Sequence, residues 1–380
     1  MQKLKKLLIA VAVFAIVYFF LPVHVQMGLK HNFANVDDYQ LFPNNKVQKS
    51  EHPKPWLVAD KYNKKQPSKE LIDFFNDRQT CAFLVIQDGK IVYENYWENY
   101  NKETISGSFS MAKTINALLI GKLVEQGKIS VNDDVKKYVP ELEQIPSGKL
   151  TIKNVLNMSA DLDWSESYMN IFSLTSESYY GNDLDKLMQK IEIRPSNNQG
   201  KIWEYQSICT EILGYIIKNV TKKSIAENAH EYLWNPLGAE SDALWSTDKN
   251  GVEKSFCCLN ATARDFARLG QMVLQNGKWD SIQLIDSNYI KEMTTSVSDM
   301  KDSEFKNPVN WYGYQTWMLN YKGHQIPYFR GILGQFIYVI PDKNAVIVRL
   351  GKKIKRDPAN TLRQNDDILN YIEAGLQVLN

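Results

Sequence analysis

Two pairs of apolar segments, one near each end of the chain, carry the pattern of β-hairpins. In the first, CAFLVIQDGKIVYENYW (residues 81–97), two runs rich in β-branched and aromatic residues flank Asp88-Gly89, a dipeptide that strongly favours a two-residue hairpin turn. In the second, residues 335–340 and 345–350 are apolar and are separated by the turn-forming sequence PDKN. We therefore predict an antiparallel sheet to which both ends of the chain contribute.

Between the two hairpins, apolar positions recur with the period of an α-helix. Helices are predicted for MAKTINALLIGKLVEQG, which follows Ser110, for SICTEILGYIIKNVTKK from near Ser207, and for ATARDFARLGQMVLQNG, which ends at Gly277. A last helix is expected near residues 365–378. This order indicates an α+β fold in which the helical middle, at about residues 130–290, is inserted as a second, all-helical lobe.

The first 25 residues carry the pattern of a targeting segment. Three lysines precede an uncharged run of 17 residues from Leu7 to Val23, which is at the short edge of what spans a bilayer. Because no small-x-small cleavage site follows, we expect residues 1–25 to be an uncleaved signal anchor, with the rest of the chain in the periplasm or at the cell surface. A cleaved secretory signal is the alternative. Residues 26–75 are polar and contain four prolines, so a linker is predicted there and the main domain at residues 76–380.

Composition and charge narrow the class of protein. The chain has 380 residues, of which 44% are hydrophobic and 23% charged, values that are typical of a globular protein. A net charge of +2 without a dense basic block disfavours a nucleic-acid partner. The five histidines show no metal-binding spacing, so no metal or cofactor is expected. Cys257 and Cys258 are adjacent, which suits neither a zinc knuckle nor a disulfide framework, and we expect them to be small buried side chains.

Ser110 and Lys113 form an S-x-x-K pattern at the start of the first predicted helix. Residues three apart share a helix face, and a serine at a helix N-terminus lies where free N–H groups and the helix dipole favour developing negative charge. If Lys113 is buried, its pKa falls and its neutral amine can accept the serine proton. Taken alone, the pattern also fits a capping serine followed by a solvated lysine.

Two further features favour the chemical interpretation. Tyr205, in IWEYQSICTEILG, precedes a helix and has a hydroxyl that can pass a proton between a nucleophile and a leaving group. Gly331 and Gly334 stand at the start of an apolar strand, where glycine often marks the close approach of a ligand to the backbone. The N–H groups of such a strand can form an oxyanion hole.

Together these motifs resemble the serine β-lactamase and penicillin-binding-protein superfamily, in its branch of esterases, D-aminopeptidases and 6-aminohexanoate-dimer hydrolases. The stretches LTIKNVLNMSADLDW, YLWNPLGAESDALW and ATARDFARLGQMVLQNGKW support the resemblance, which runs from about Thr80 to the C-terminus. It implies an α/β/α sandwich beside an all-helical lobe, with the site between them. The matching residues are Ser110-Met111-Ala112-Lys113, Tyr205-Gln206-Ser207 and Gly331-Ile332-Leu333-Gly334-Gln335.

The resemblance also implies a role for each matching residue. Ser110 would be acylated, Lys113 would activate it and Tyr205 would relay protons, with either Lys113 or Tyr205 as the acylation base. The backbone N–H groups of Ser110 and Ile332 would form the oxyanion hole. The remaining candidates are expected to contact the substrate, and they are Ser207, Trp203, Tyr180, Arg330, Gly331, Gly334 and Gln335.

Two departures from the family pattern bear on the substrate. Phe329-Arg330-Gly331 replaces the family's Lys/His-Thr/Ser-Gly triplet, so the cation and the hydroxyl that would hold a β-lactam carboxylate are missing at the first two positions. Ser207 stands where asparagine is commoner, and no acidic deacylation base of the class A kind is identifiable. An ester or a small amide is therefore expected as the substrate, rather than penicillin.

Two alternatives stay open at this point. A cell-wall D,D-carboxypeptidase or a β-lactamase would carry the same catalytic residues. A non-catalytic penicillin-binding-like sensor or binding domain would keep the fold without the reaction. A Ser-His-Asp hydrolase is disfavoured because the chain has no G-x-S-x-G elbow. The sequence does not decide the oligomeric state.

Overall fold

The computed structural model of the protein describes residues 2–6, 17–304, 306–355 and 366–379. In chain order the strands are β1 Asn44–Val47, β2 Leu57–Val58, β3 Thr80–Gln87, β4 Lys90–Tyr96, β5 Ser106–Gly107, β6 Ile202–Trp203, β7 Ala243–Ser246, β8 Leu259–Ala261, β9 Lys278–Trp279, β10 Ile282–Gln283, β11 Lys301–Asp302, β12 Trp317–Tyr321, β13 His324–Gly331, β14 Gln335–Ile340 and β15 Ala345–Gly351. The helices are α1 Val23–His31, α2 Lys69–Asp77, α3 Met111–Glu125, α4 Ile152–Leu156, α5 Leu174–Tyr180, α6 Leu184–Gln189, α7 Ser207–Thr221, α8 Ile225–Ala229, α9 Ala263–Leu274, α10 Ser287–Met293 and α11 Asp366–Val378.

A seven-stranded sheet joins the two ends of the chain. Its strand order is β12-β13-β14-β15-β3-β4-β2. Neighbouring strands run antiparallel, except that β2 and β4 run parallel. Asp88 and Gly89 have φ values of 53° and 72°, as the predicted two-residue turn between β3 and β4 requires. The prediction of one antiparallel sheet built from both hairpins is confirmed.

Helices cover both faces of this sheet. Successive side chains of a strand point to opposite faces, and β15 shows this directly. Val346 lies against Gly270 of α9, whereas Ile347 lies against Gly375 of α11. A Cβ at Gly270 would come within 2.7 Å of Val346, and one at Gly375 within 2.1 Å of Ile347, so both helices approach as closely as they do because they carry glycine. The result is an α/β/α sandwich, which confirms the predicted α+β class.

The middle of the chain forms the second lobe, but this lobe is not wholly helical. Helices α4 to α8 lie there, as expected. A four-stranded sheet of order β1-β7-β8-β5 accompanies them. Helix α9, although within the predicted range of 130–290, covers the central sheet instead. The sequence did not predict the small sheet, because strands of two to four residues are too short to show an alternating pattern.

Residues 26–75, predicted to be an irregular linker, contain regular structure. The segment holds most of α1, all of β1 and β2, and the start of α2. Strand β1 pairs with β7, and β2 extends the edge of the central sheet beside β4. The prolines stand just before these elements, where proline is tolerated, and not inside them. The segment is therefore built into both sheets.

Residues 1 and 7–16 of the predicted signal anchor lie outside the described residues. Within the part of the chain that the structure describes, no helix is both long enough and apolar enough to cross a membrane. The anchor, its possible cleavage and the location of the protein therefore stay predictions.

Candidate active site

Ser110 lies at the start of α3, after a tight turn. Phe109 has a φ of 44°, a left-handed conformation that residues other than glycine adopt at a cost. Ser108 holds the turn, since its amide donates to the Leu259 carbonyl at 2.7 Å and its hydroxyl donates to the Phe109 carbonyl at 3.1 Å. The Ser110 hydroxyl makes no capping hydrogen bond to the helix, so it is left for other partners.

Lys113 is held against the Ser110 hydroxyl. Its Nζ lies 3.1 Å from Ser110 Oγ and donates to the Phe256 carbonyl at 2.8 Å. Only 2% of Lys113 is exposed, because it lies on a helix that is buried along most of its length. Burial lowers the pKa of Lys113 to about 8, although nearby acidic groups, Glu166 first among them, oppose the shift. At mildly alkaline pH a large fraction of this amine is therefore neutral.

Tyr205 approaches the same hydroxyl from the segment before α7. Its side chain hydrogen bonds with Ser110, and its ring centre lies 5.2 Å from Lys113 Nζ. Burial, and then the charge of Glu166, raise the pKa of Tyr205, while Ser110 and Arg330 partly oppose the shift. The phenol is therefore protonated at neutral pH and is suited to donate or relay a proton. Of the two possible bases, the geometry and charges favour Lys113.

Gly331 packs against the turn that carries Ser110. A Cβ at this position would lie 2.3 Å from the Ser108 carbonyl oxygen and 3.2 Å from Phe109 Cβ, so only glycine allows this approach. Ile332 follows directly and is 36% exposed. The end of β13 and the start of α3 are thus in contact, as a shared oxyanion hole of the Ser110 and Ile332 amides requires.

Gly334 and Gln335, predicted to contact substrate, hold the turn after β13 instead. Gly334 has a φ of 86°, and a Cβ there would come within 2.3 Å of the Arg349 guanidinium. Arg349 donates to the carbonyls of Leu333 and Gly334 at 2.7 Å each. Gln335 is fully buried, and its amide exchanges two hydrogen bonds with the Gly351 backbone. These two predictions are corrected, because the groups concerned are used by the protein itself.

An aromatic wall stands next to Tyr205. The Trp317 ring centre lies 5.7 Å from that of Tyr205, and the rings of Trp203 and Tyr312 meet Trp317 edge-on at 6.1 and 5.0 Å. The Arg330 guanidinium lies 4.9 Å from the Trp317 ring centre. Trp203 and Arg330 thus both contact the ring that packs on Tyr205, and their contact with a substrate stays a prediction.

Glu166 is a residue of the site that the sequence did not single out. Its carboxylate accepts from the Ser207 amide at 2.9 Å and from the Ser207 hydroxyl at 2.5 Å. The Trp164 indole and the Tyr168 hydroxyl also donate to it, at 2.8 and 2.6 Å. Ser207 begins α7, so the carboxylate also lies at the positive end of a helix dipole. Four donors fix the position of the Glu166 side chain, and Ser207, a predicted substrate contact, is bound to it.

Tyr180, also predicted to contact substrate, packs elsewhere. Its ring stacks on His31 at 6.4 Å and meets Tyr179 edge-on at 4.8 Å, at the contact between α5 and α1. Its neighbour Tyr179 packs on the small cluster of Phe256, Cys257 and Cys258. Adjacent residues of a helix point about 100° apart, so the sequence could not tell which of the two tyrosines lies nearer the site.

Cys257 and Cys258 form a disulfide between neighbouring residues. The sequence predicted two small buried side chains, and the structure shows them buried but bonded to each other. The pair directly follows Phe256, whose carbonyl binds Lys113. The disulfide is therefore part of the segment that holds the amine in place.

These groups supply what an acyl transfer needs. A hydroxyl lies beside an amine that can accept its proton, and a phenol that can donate a proton lies beside both. Within the described ranges, no group of three or more His, Cys, Asp or Glu side chains is placed to hold a metal ion. The geometry thus brings together a serine hydroxyl, a buried amine and a phenol.

Known proteins match most of the chain. The 6-aminohexanoate-dimer hydrolase of Paenarthrobacter ureafaciens is 26% identical over 287 residues, which are 72% of this chain and 73% of that protein. The structure of a Bacillus anthracis protein, provisionally described as a 6-aminohexanoate-dimer hydrolase, matches with a TM-score of 0.75 at 23% identity and covers 90% of this chain and 91% of that one. The structure of a family VIII carboxylesterase matches with a TM-score of 0.61 at 15% identity, over 86% of this chain and 99% of that one.

The sequence model of the Beta-lactamase family matches residues 69–369. This range contains the S-x-x-K motif at Ser110, the tyrosine motif at Tyr205 and the glycine strand at Gly331. The resemblance drawn from these motifs is confirmed, and the solved structures agree with it in fold. The chain belongs to the Beta-lactamase family, within the superfamily of serine β-lactamases and penicillin-binding proteins.

Proposed function

We propose that the protein is a serine hydrolase that cleaves an ester or a small amide through an acyl-enzyme on Ser110. The observation that carries the proposal is the 3.1 Å contact between Ser110 Oγ and the Nζ of the buried Lys113. A lysine that is buried beside a hydroxyl can be neutral and can remove its proton. The names of the relatives, a 6-aminohexanoate-dimer hydrolase and a carboxylesterase, support hydrolysis of amide or ester bonds.

Acylation follows from the placement of three side chains. Neutral Lys113 accepts the Ser110 proton as the serine oxygen attacks the substrate carbonyl. The carbonyl oxygen gains negative charge, which the amides of Ser110 and Ile332 would stabilise. Tyr205 donates its proton to the leaving alcohol or amine and regains one from the Lys113 ammonium, so the proton first removed from Ser110 is accounted for.

Deacylation uses the same groups in the reverse direction. Water takes the place of the leaving group, Tyr205 passes the water proton towards Lys113, and Ser110 leaves as a restored hydroxyl. Glu166 is assigned no part as a base, because its carboxylate already accepts four hydrogen bonds. Its negative charge does act on Lys113, whose ammonium form it favours.

The surroundings of Ser110 favour a small, partly apolar acyl group. Trp203, Tyr312 and Trp317 form a buried aromatic cluster behind Tyr205, and Arg330 adds a positive charge beside Trp317. The Arg330 guanidinium lies against the Trp317 ring. The triplet Phe329-Arg330-Gly331 has no hydroxyl of the kind that accompanies the cation in relatives that bind β-lactams. We therefore place esters and small amides before penicillins as substrates.

The test is turnover of a p-nitrophenyl ester by the full chain and by two matched serine variants. Ser110→Ala should reduce turnover to background, and a fluorophosphonate should label wild type at Ser110, as read by peptide mass. Ser108→Ala removes one hydrogen bond of the nucleophile turn but keeps the amide that binds Leu259, so it should retain far more activity than Ser110→Ala. Unchanged turnover by a folded Ser110→Ala would sink the mechanism.

A substrate panel separates the alternatives. Esters, D-amino-acid amides, linear amide oligomers and a fluorescent penicillin should be compared under the same conditions. Slow penicillin labelling of Ser110 without turnover would favour a D,D-carboxypeptidase, and rapid turnover of penicillin would favour a β-lactamase. A folded chain that neither the fluorophosphonate nor the fluorescent penicillin labels would favour a binding or sensor domain.

We also propose that residues 1–25 anchor the protein to a membrane, with the hydrolase domain outside the cytoplasm. The support is the lysine-flanked apolar run of the sequence and the Cys257–Cys258 disulfide, because disulfides persist mainly in oxidising compartments. Cell fractionation followed by carbonate extraction tests this. Recovery of the chain, still carrying its first residues, from the carbonate-resistant membrane pellet is expected, and recovery from the cytoplasm would contradict it.

A further inference from the structure

Glu211 is a buried carboxylate that the mechanism above does not use. It lies on α7, one turn beyond Ser207, and only 1% of it is exposed. Its Oε2 accepts from the amide and the hydroxyl of Ser255 at 3.0 and 2.8 Å. Its Oε1 is buried and has no hydrogen-bond partner among the described residues. A carboxylate that is buried and only half satisfied is costly to keep, so its presence calls for a role.

The segment bound by Glu211 is the one that binds Lys113. The Ser255 amide faces Glu211, and the next carbonyl, that of Phe256, accepts from Lys113 Nζ at 2.8 Å. Asn116, on the same helix as Lys113, donates to the Ser255 carbonyl at 2.8 Å. The backbone from Ser255 to Phe256 is therefore held by Glu211 from α7 and by two side chains of α3.

Glu211 is also the anion that two buried lysines share. Burial lowers the pKa of both Lys113 and Lys254 to about 8, and the charge of Glu211 opposes the shift in each. Burial in turn raises the pKa of Glu211 to about 7, against its hydrogen bonds with Ser255 and the charge of Lys254. The other groups that act on Lys113, on Glu211 or on Lys254 are Glu166, Cys209, Tyr205, Phe256, Tyr215 and Asp248.

We propose that Glu211 is a positioning residue, which fixes the backbone segment whose carbonyl binds Lys113 and places a negative charge near the Lys113 amine. It acts through the segment Ser255–Phe256 and through its charge, without touching the substrate. The kinetic consequence rests on the proposed function, whereas the coupling between Glu211 and Lys113 exists in the free protein and can be measured without turnover.

The sign of the effect follows from the charge. Ionised Glu211 stabilises the Lys113 ammonium, so its removal favours the neutral amine. Glu211→Gln keeps the length of the side chain and an oxygen that accepts from Ser255, but it removes the charge. In this variant Lys113 should lose its proton at a lower pH than in wild type, and the acid limb of the kcat/KM profile should move to lower pH with it.

The experiment follows the ε-carbon of Lys113 by NMR of the full chain labelled with ¹³C-lysine, over pH 6 to 10. The signal is assigned by its loss in Lys113→Arg. The kcat/KM profile for a p-nitrophenyl ester is recorded on the same samples. Glu253→Gln is the matched control, because Glu253 is equally buried on the same segment but accepts from Asn45 and Ala226 instead.

We expect the midpoint of the Lys113 titration to be lower in Glu211→Gln than in wild type. It should be unchanged in Glu253→Gln and close to wild type in Glu211→Asp, which keeps the charge. A Lys113 midpoint in Glu211→Gln equal to that of wild type overturns the proposal, even if activity or stability falls. If Glu211→Gln does not fold, the same titration of Ser255→Ala tests the proposal. Loss of the Ser255 hydroxyl makes the ionised form of Glu211 less stable, so the Lys113 midpoint should again move to lower pH. Absence of Ser110-dependent turnover would defeat the proposed function, while the NMR titration would still decide the role of Glu211.

Discussion

Lys113 and Lys254 are buried in the same interior, and they differ in what their amino groups reach. Burial lowers the pKa of both to about 8, and both face Glu211. Lys113 Nζ contacts the Ser110 hydroxyl, whereas Lys254 Nζ donates to the backbone carbonyls of Ser178 and Gly181 at 3.4 and 3.3 Å. A perturbed pKa alone therefore does not identify a catalytic lysine, and the neighbouring nucleophile makes the difference.

Replacement of each lysine should separate the two roles most strongly. In Lys113→Met we expect a loss of about 10³-fold in kcat/KM for a p-nitrophenyl ester, because the base is removed. In Lys254→Met we expect a loss of less than about tenfold, because the change lies outside the reacting groups. Steady-state kinetics on samples matched by circular dichroism measure both. Equal losses in the two variants would contradict the claim that only Lys113 acts as the base.

The aromatic ring beside each lysine gives a second test. Tyr205 lies 5.2 Å from Lys113 Nζ, and Phe42 lies 5.0 Å from Lys254 Nζ. Tyr205→Phe keeps the ring and removes only the hydroxyl, and we expect a loss of about 10²-fold in kcat with little change in KM. Phe42→Leu serves as the control and should leave kcat close to wild type. Near wild-type kcat in Tyr205→Phe would show that the ring, and not the proton relay, is what matters at Lys113.

The dependence of stability on pH should reveal both lysines in the same way. The folded pKa, about 8, lies below that of lysine in an unfolded chain. Between these two values the unfolded chain binds more protons, so each lysine makes the free energy of unfolding rise with pH. From pH 7.5 to 9.5 wild type should gain about 2 kcal/mol relative to Lys254→Met. Urea unfolding at both pH values measures this, and a constant difference would contradict the shifted pKa.

The smallest effect is expected from the disulfide. Cys257 and Cys258 directly follow Phe256, whose carbonyl binds Lys113. Replacement of both by serine should lower kcat/KM by less than about tenfold, because Glu211 and Asn116 still hold the segment Ser255–Phe256 by hydrogen bonds. Ester kinetics with and without a dithiol reductant provide the measurement. A loss as large as that of Lys113→Met would mean that the disulfide, more than Glu211, positions the amine.

The part of the site that the sequence predicted is the part set by local geometry. Ser110 and Lys113 are three apart on one helix, so their contact follows from the helical period. The Asp88-Gly89 hairpin likewise needs only neighbouring residues. Gly331 could be recognised because glycine in an apolar strand is unusual, and the structure shows the Ser108 carbonyl where a side chain would be. Each of these features can be recognised from a stretch of only a few consecutive residues.

The groups that the sequence missed come together from distant segments. Glu166 meets Ser207 across 41 positions, and Glu211 meets Ser255 across 44. A loop glutamate has no periodicity that distinguishes it from a solvated one, and no spacing rule marks such a pair. The wrong assignment of Gln335 has a similar cause, because its partner Gly351 is 16 residues away on another strand. The positions of Glu166, Glu211 and Gln335 depend on partners that are distant in the sequence, so only the folded structure shows them.

The close packing of Gly331 also bears on how the protein can evolve. Along β13, Phe329 and Gly331 are buried, whereas the intervening Arg330 is partly exposed. Since no Cβ fits between Gly331 and Ser108, the strand and the nucleophile turn form one fixed unit that mutation cannot easily alter. Arg330 stands beside that unit without being part of it. Arg330 can therefore change during evolution while the turn that carries Ser110 stays the same. A library randomised at Arg330 is where altered substrate specificity is expected.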